Sequence, residues 1–153
     1  MKKKLVFTIG IPGSGKSTYL SGKYPVVETD KLRKIYLGDV NDWSQERFIF
    51  DIAMRDIIER FDFYDTVYLD ATMVETKHRD SMLEEIGGRL DVKFEAIVFP
   101  ADIYLSIERI EADLESGKNR ANSLDTIYES YNQYNETMDQ IEAGQVDFDV
   151  VWL

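Results

Sequence analysis

The sequence predicts a doubly wound α/β domain on a five-stranded parallel sheet, and three observations predict it. Short apolar, β-rich runs alternate along the chain with helical patterns, which implies parallel strands joined by right-handed crossovers. The first run leads straight into a glycine-rich stretch, GIPGSGKST at residues 10–18. Two later runs deliver an aspartate at their carboxyl ends, Asp30 and Asp70. In such sheets the ligand sits beyond the carboxyl ends of the strands, so all three features converge on one site.

Taken in order, residues 4–9 (KLVFTI) form the first strand. The next stretch satisfies the P-loop pattern: Gly10, four residues, Gly15, Lys16 and Ser17. Successive backbone N–H groups of such a loop point inward and hold an anion, and the dipole of the following helix adds positive charge. Gly13 and Gly15 permit backbone angles and close approaches that a side chain would block. Gly10, Pro12, Gly13, Ser14, Gly15 and Thr18 thus shape a nucleotide cradle. Lys16 is placed to reach the β- and γ-phosphates, and the Ser17 hydroxyl to ligate magnesium. The chain handles a nucleoside triphosphate, with ATP and Mg2+ as the expected pair.

A helix over 16–23 follows, ended by Tyr24-Pro25. Residues 26–29 read as the second strand, and residues 30–33 open a helical turn. Gly38 and Asn41-Asp42 mark a loop, and Ser44 is placed to cap a helix over 45–61. That helix is apolar around most of its circumference, with a polar stripe at Asp51, Arg55 and Glu59, so it should be largely buried. Residues 66–70 (TVYLD) are the third strand. A helix over 75–86 is expected to stop at Gly87-Gly88. Residues 92–99 (VKFEAIVF) are the fourth strand, and 101–115 are helical, with Ile103, Ile107, Ile110 and Leu114 on one face. Residues 116–122 break the pattern as a polar, partly cationic loop, and Ser123 is placed to cap the last helix. That helix carries apolar residues at Leu124, Ile127, Tyr131, Tyr134, Met138 and Ile141, a seam that packs one amphipathic helix on the core. Residues 148–153 (FDVVWL) close the sheet. No repeat, low-complexity tract or interdomain linker interrupts the 153 residues, so a single domain is expected.

Composition narrows the function classes. The absence of cysteine excludes disulfides and thiolate zinc, and the lone His78 cannot build a histidine-rich metal site. The apolar run after the basic start is too short for a signal peptide, and no run approaches the roughly 20 residues that span a bilayer. A cytoplasmic protein without membrane partners is the expectation. The formal net charge of −11 argues against a protein that coats nucleic acid. It leaves room for a small cationic pocket holding one end of a chain, or for a small-molecule substrate.

Phosphoryl transfer needs positioning, charge neutralisation and a group to orient the nucleophile. Two uses fit Asp30: a carboxylate that accepts a proton from an attacking hydroxyl, or an N-cap for the helix behind it. Asp70 closes an apolar strand as a Walker B acid does, supporting the magnesium shell; a strand-end turn is the plain alternative. Thr72 suits a hydrogen bond to substrate or phosphate, or an ordinary turn. In the loop, Arg120 suits a lid that closes over transferring phosphates, while Lys118 reads as solvated surface. Lys77-His78-Arg79 reads as a solvated face, and Lys31, Arg33 and Lys34 form the other basic spot near the crevice.

Four pieces, in order, carry a resemblance: GIPGSGKST at 10–18, TDKLR at 29–33, LDATMVETKHR at 69–79 and ESGKNRANSLDTIYESY at 115–131. Nearly the whole chain resembles the small P-loop kinases, nucleoside-monophosphate-kinase-like in fold with a short lid at about 115–123, typified by the 5′-kinase domain of phage polynucleotide kinase. The resemblance implies that Asp30 is the general base that activates a 5′-hydroxyl and that Arg33 contacts a substrate phosphate. It implies that Asp70 and Thr72 are the acid and threonine after the third strand, and Arg120 the lid arginine over the ATP phosphates. The chain departs from the family's pattern at Met73, where asparagine is frequent, at Asp113 in place of an arginine, and at Ser123 in place of a proline. The reading that results is an ATP- and magnesium-dependent kinase acting on a hydroxyl, foremost the 5′-OH end of RNA or DNA. A kinase for a nucleoside, sugar or other metabolite is the alternative on the same scaffold. A GTPase switch would carry Asn-Lys-x-Asp, which is absent, and a nucleotide-binding module without chemistry would not need Lys16, Ser17, Asp30 and Asp70 together.

Overall fold

Strand β1 (Lys3–Ile9) lies in the middle of the sheet, and its side chains explain why. Leu5, Phe7 and Ile9 join one buried cluster while Val6 joins another with Ile97 and Phe99, so both faces of the strand are covered. The computed structural model describes residues 2–40, 42–117 and 124–153. Around β1 stand β2 (Val26–Glu28), β3 (Thr66–Asp70), β4 (Val92–Val98) and β5 (Asp149–Trp152). All pair in parallel, in the order β2-β3-β1-β4-β5. Phe7 is level with Leu69 and Ala96, and Glu28 with Asp70, so the carboxyl ends of β1, β2 and β3 stand side by side. The doubly wound five-stranded parallel sheet is the expected one.

The helices are α1 (Lys16–Leu20), α2 (Thr29–Leu37), α3 (Glu46–Arg60), α4 (Thr76–Arg89), α5 (Ile103–Glu115) and α6 (Leu124–Glu142). Among the described residues, no helix is long and apolar enough to cross a membrane. In α3, Ile49, Ile52, Ala53 and Ile57 are buried and Asp51, Arg55 and Glu59 face out, as the pattern requires. In α6, Ile127 and Tyr134 are buried and Tyr131, Met138 and Ile141 pack against the core, whereas Leu124 is exposed. Leu114 of α5 is likewise exposed.

Three local expectations are corrected. Helix α1 ends at Leu20, three residues short of the expected 23. Ser44 does not cap α3: its N–H and hydroxyl both donate to Asp42, and α3 starts at Glu46 with no side-chain cap. Gly87 and Gly88 do not stop α4, which runs through them to Arg89. Met82, Leu83 and Ile86 bury one face of that helix, and this packing outweighs the roughly 1 kcal/mol that glycine costs at a helical position.

Arg79 corrects a fourth. The expected solvated face is, for this residue, the interior: Arg79 is 1% exposed. Its Nη1 donates to Thr137 Oγ1 at 3.0 Å and its Nη2 to Gln140 Oε1 at 2.8 Å, and its guanidinium lies 5.6 Å from the ring centre of Phe148. Thr137 in turn donates to the carbonyl of Val74 at 3.0 Å, so one side chain ties the segment after β3 to α6. Arg79→Leu would strand these buried partners, at a cost of about 3 kcal/mol. For a chain of this size the thermal midpoint is expected to drop by about 6–12 °C, read by circular dichroism.

Candidate active site

The P-loop joins β1 to α1, and contacts specific to each glycine hold its path. A Cβ on Gly10 would lie 2.5 Å from Ser14 Oγ and 3.2 Å from the Phe99 Cβ, so a larger residue would displace the Ser14 side chain and crowd Phe99. Gly13 and Gly15 have φ of 78° and 96°, in the left-handed region that favours glycine. Gly13 also lies against the backbone of Ser106, with Arg109 Nη1 donating to the Gly13 carbonyl at 3.0 Å. Helix α5 therefore braces the loop from outside.

Lys16 is turned into the loop, its Nζ donating to the Ile11 carbonyl at 2.9 Å. The next residue reaches the neighbouring strand: Ser17 Oγ donates to Asp70 Oδ2 at 2.7 Å. Asp70 is held there by a seam between β1 and β3. Thr8 Oγ1 donates to the Ala71 carbonyl at 3.1 Å, and the Gly10 N–H to the Thr72 carbonyl at 3.3 Å. Thr72 is thus fixed at the loop by its backbone. The following residue, Met73, is buried with φ of 51°. Asparagine tolerates that left-handed angle better than methionine does, so the departure at Met73 falls on a strained turn.

Burial raises the Asp70 carboxyl above its ordinary pKa, opposed by the Ser17 hydrogen bond and the charge of Lys16; Glu28 and Asp30 raise it further. A carboxyl raised by folding favours the folded state at low pH and loses that contribution as pH climbs through its folded pKa. Asp70→Asn has no such charge to bury. The variant is expected to melt at a higher temperature than the parent in the absence of nucleotide, with the gap widening from pH 4 to pH 7. Thermal melts across that range check it, and a gap that narrows with pH would refute the assignment.

Asp30 is in the first turn of α2, two residues beyond the level pair Glu28 and Asp70. The N-cap position belongs to Glu28, so the capping use of Asp30 is not the observed one. Its side chain is 76% exposed and accepts from Arg33 Nη1 at 2.6 Å. Arg33 is 2% exposed, its Nε and Nη2 both donating to Glu46 at 2.7 Å and its guanidinium stacked 3.9 Å from the Trp43 ring centre. The edge of Arg33 is therefore taken by two carboxylates and its face by an indole. It stands as a brace for Asp30. Arg120, the expected lid arginine, and Lys118 and Ser123 lie outside the described residues, as does much of the expected lid.

Ser17 and Asp70 offer the hard oxygen donors that magnesium prefers, and no cluster of three or more metal-binding side chains occurs among the described residues. Two protein oxygens suit an ion that takes its remaining ligands from phosphates and water. Sequence reasoning missed Glu46 and Trp43, which hold Arg33 from outside its own helix. The brace from Arg109 on the Gly13 carbonyl is a further contact of this kind. No local signal marks them, because these contacts join residues 10 to 96 positions apart.

A parallel sheet with this loop at its central strand and an acid beside it defines a P-loop kinase fold that binds a nucleotide. The chain belongs to the AAA domain family, which it matches over residues 5–133. No curated protein matches it in sequence. Among solved structures it is similar to a chain of the Pnkp1/Rnl/Hen1 RNA repair complex, at 20% identity and a TM-score of 0.75, over 91% of this chain and 46% of that one. It is also similar to a Chloroflexus aurantiacus j-10-fl protein assigned as a kinase, at 11% identity and a TM-score of 0.73, over 100% of this chain and 88% of that one. The chain thus spans less than half of the RNA repair chain it matches.

Proposed function

We propose that the protein is an ATP- and magnesium-dependent kinase that phosphorylates the 5′-hydroxyl end of RNA or DNA. The observation that carries phosphoryl transfer is the Ser17–Asp70 contact under the P-loop, with Asp30 close enough for its charge to act on Asp70. Magnesium, when bound, neutralises charge on the β- and γ-phosphates. Lys16 and the loop amides hold those phosphates in place. Asp30, exposed on the first turn of α2 and steadied by Arg33, takes the proton of the acceptor hydroxyl as its oxygen attacks the γ-phosphorus and ADP leaves. Arg120 is assigned to the transferring phosphates.

The nucleic-acid acceptor is supported by residues 29–33 and 69–79, two of the segments that carry the family resemblance. They meet at one crevice through the pairing of β2 with β3. The likeness to a chain of an RNA repair complex points the same way. The covered state of Arg33 favours a second reading, a small uncharged hydroxyl compound as acceptor. A γ-labelled ATP transfer assay across 5′-OH oligonucleotides, nucleosides and sugars decides between them. Oligonucleotide ends are expected to be labelled. The logarithm of their Michaelis constant should vary with log salt by a slope of about 2 or less, since each neutralised single-strand phosphate contributes roughly 0.7. Labelling confined to nucleosides or sugars selects the second reading, and labelling of nothing overturns both.

A further inference from the structure

Behind the Arg33–Glu46 pair a cavity of about 120 Å³ opens between α3, α4 and α6. Glu46 and Thr72 line it, and Glu46 connects through Arg33 to Asp30, so the cavity adjoins the acceptor side of the site. No P-loop residue is among its walls, which separates it from the nucleotide cradle.

Its two sides differ in kind. On the α3 and α4 side the walls are aromatic or already paired: Trp43 stacks on Arg33, Phe50 lies parallel to His78 with centres 5.6 Å apart, and Glu75 pairs with His78 at 3.3 Å. Arg79, the guanidinium in the wall, is committed to Thr137, Gln140 and the Met73 carbonyl. A phosphate finds no open cation there. On the α6 side stand Glu129, Ser130 and Gln133, whose side chains make no hydrogen bond or ion pair among the described residues. Ser130 is 9% exposed, and its hydroxyl opens on the cavity rather than being sealed from water, so it can bond an occupant.

We infer that this cavity receives the terminal base of the acceptor and favours adenine and cytosine, whose exocyclic amine stands beside an unprotonated ring nitrogen. Aromatic walls suit a planar ring, and the polar side suits its edge. Adenine and cytosine present an amine beside a ring nitrogen, which meets the Glu129 carboxylate as acceptor and the Gln133 amide or Ser130 hydroxyl as donor. Uracil and thymine present a carbonyl where the amine would be, and a carboxylate cannot donate to it. The inference rests on the acceptor reading proposed above.

The test uses 5′-OH dinucleotides that differ only in the 5′ base. A and C ends are expected to exceed U ends by about tenfold or more in kcat/KM, mostly through KM, the scale of a hydrogen bond to a charged group. Glu129→Gln can donate to a carbonyl as well as accept, so it should compress the difference to within about threefold. Equal kcat/KM for all ends, unchanged by the substitution, overturns the base pocket and leaves the kinase reading intact. A second readout does not depend on transfer. In the Trp152→Phe protein, with a non-hydrolysable ATP analogue saturating the cradle, Trp43 fluorescence should respond to adenosine at about tenfold lower concentration than to uridine. That preference without transfer to any 5′-OH end would keep the pocket and overturn the polynucleotide kinase reading. No response to either nucleoside would overturn the pocket.

Discussion

Lys16→Met is expected to lower phosphoryl transfer by about 10³-fold while leaving the fold intact. A preorganised cation aimed at developing phosphate charge acts in a partly dry site, where its loss costs far more than it would in water. The Lys16 side chain is 9% exposed, and its ammonium already lies inside the loop, donating to the Ile11 carbonyl. Methionine fills nearly the same space, so packing survives while the charge is lost. One more effect follows within the site. The Lys16 charge is among the influences that hold the raised Asp70 carboxyl down, so its removal lets that carboxyl rise further. Circular dichroism with a labelled-phosphate transfer assay checks the prediction. Appreciable turnover in the variant would remove the P-loop mechanism.

Asp30→Asn is expected to cut turnover by about 10²-fold or more while sparing ATP affinity, the usual scale for a lost general base. The structure makes this substitution cleaner than the sequence alone suggested. Arg33 keeps both of its bonds to Glu46 when Asp30 loses its charge, so the first turn of α2 stays in place. Asparagine matches aspartate in shape, which leaves proton acceptance as the property removed. Steady-state kinetics beside direct ATP binding decides it. Weakened ATP binding with normal turnover per bound ATP would make Asp30 a residue of the metal shell or of the fold.

Much of this architecture was legible because it rests on short-range rules. The apolar, β-rich run at 4–9 announced the first strand of a parallel sheet, and the spacing of Gly10, Gly15, Lys16 and Ser17 announced the loop. Glycine was misread once, at Gly87-Gly88. A glycine stops a helix only when nothing beyond it is held, and there Leu90 packs against the core and its N–H still donates to the Ile86 carbonyl. Arg79 was misread for a related reason. Its neighbours Lys77 and Asp80 are exposed, and nothing in the local pattern shows that Thr137 and Gln140 arrive to satisfy its donors.

By itself, then, the sequence determined the strand order's raw material, the nucleotide cradle and the two acids at the strand ends, all properties of residues within a few positions of one another. Only the tertiary structure decided which groups meet. It joined Ser17 to Asp70 across 53 positions, closed Glu46 and Trp43 on Arg33, and drew residues of α3, α4 and α6 around one cavity. The physical reason is range. Backbone conformation responds to local sterics and periodicity, whereas the charge compensation of Arg33 and the burial of Asp70 exist only once distant segments have packed.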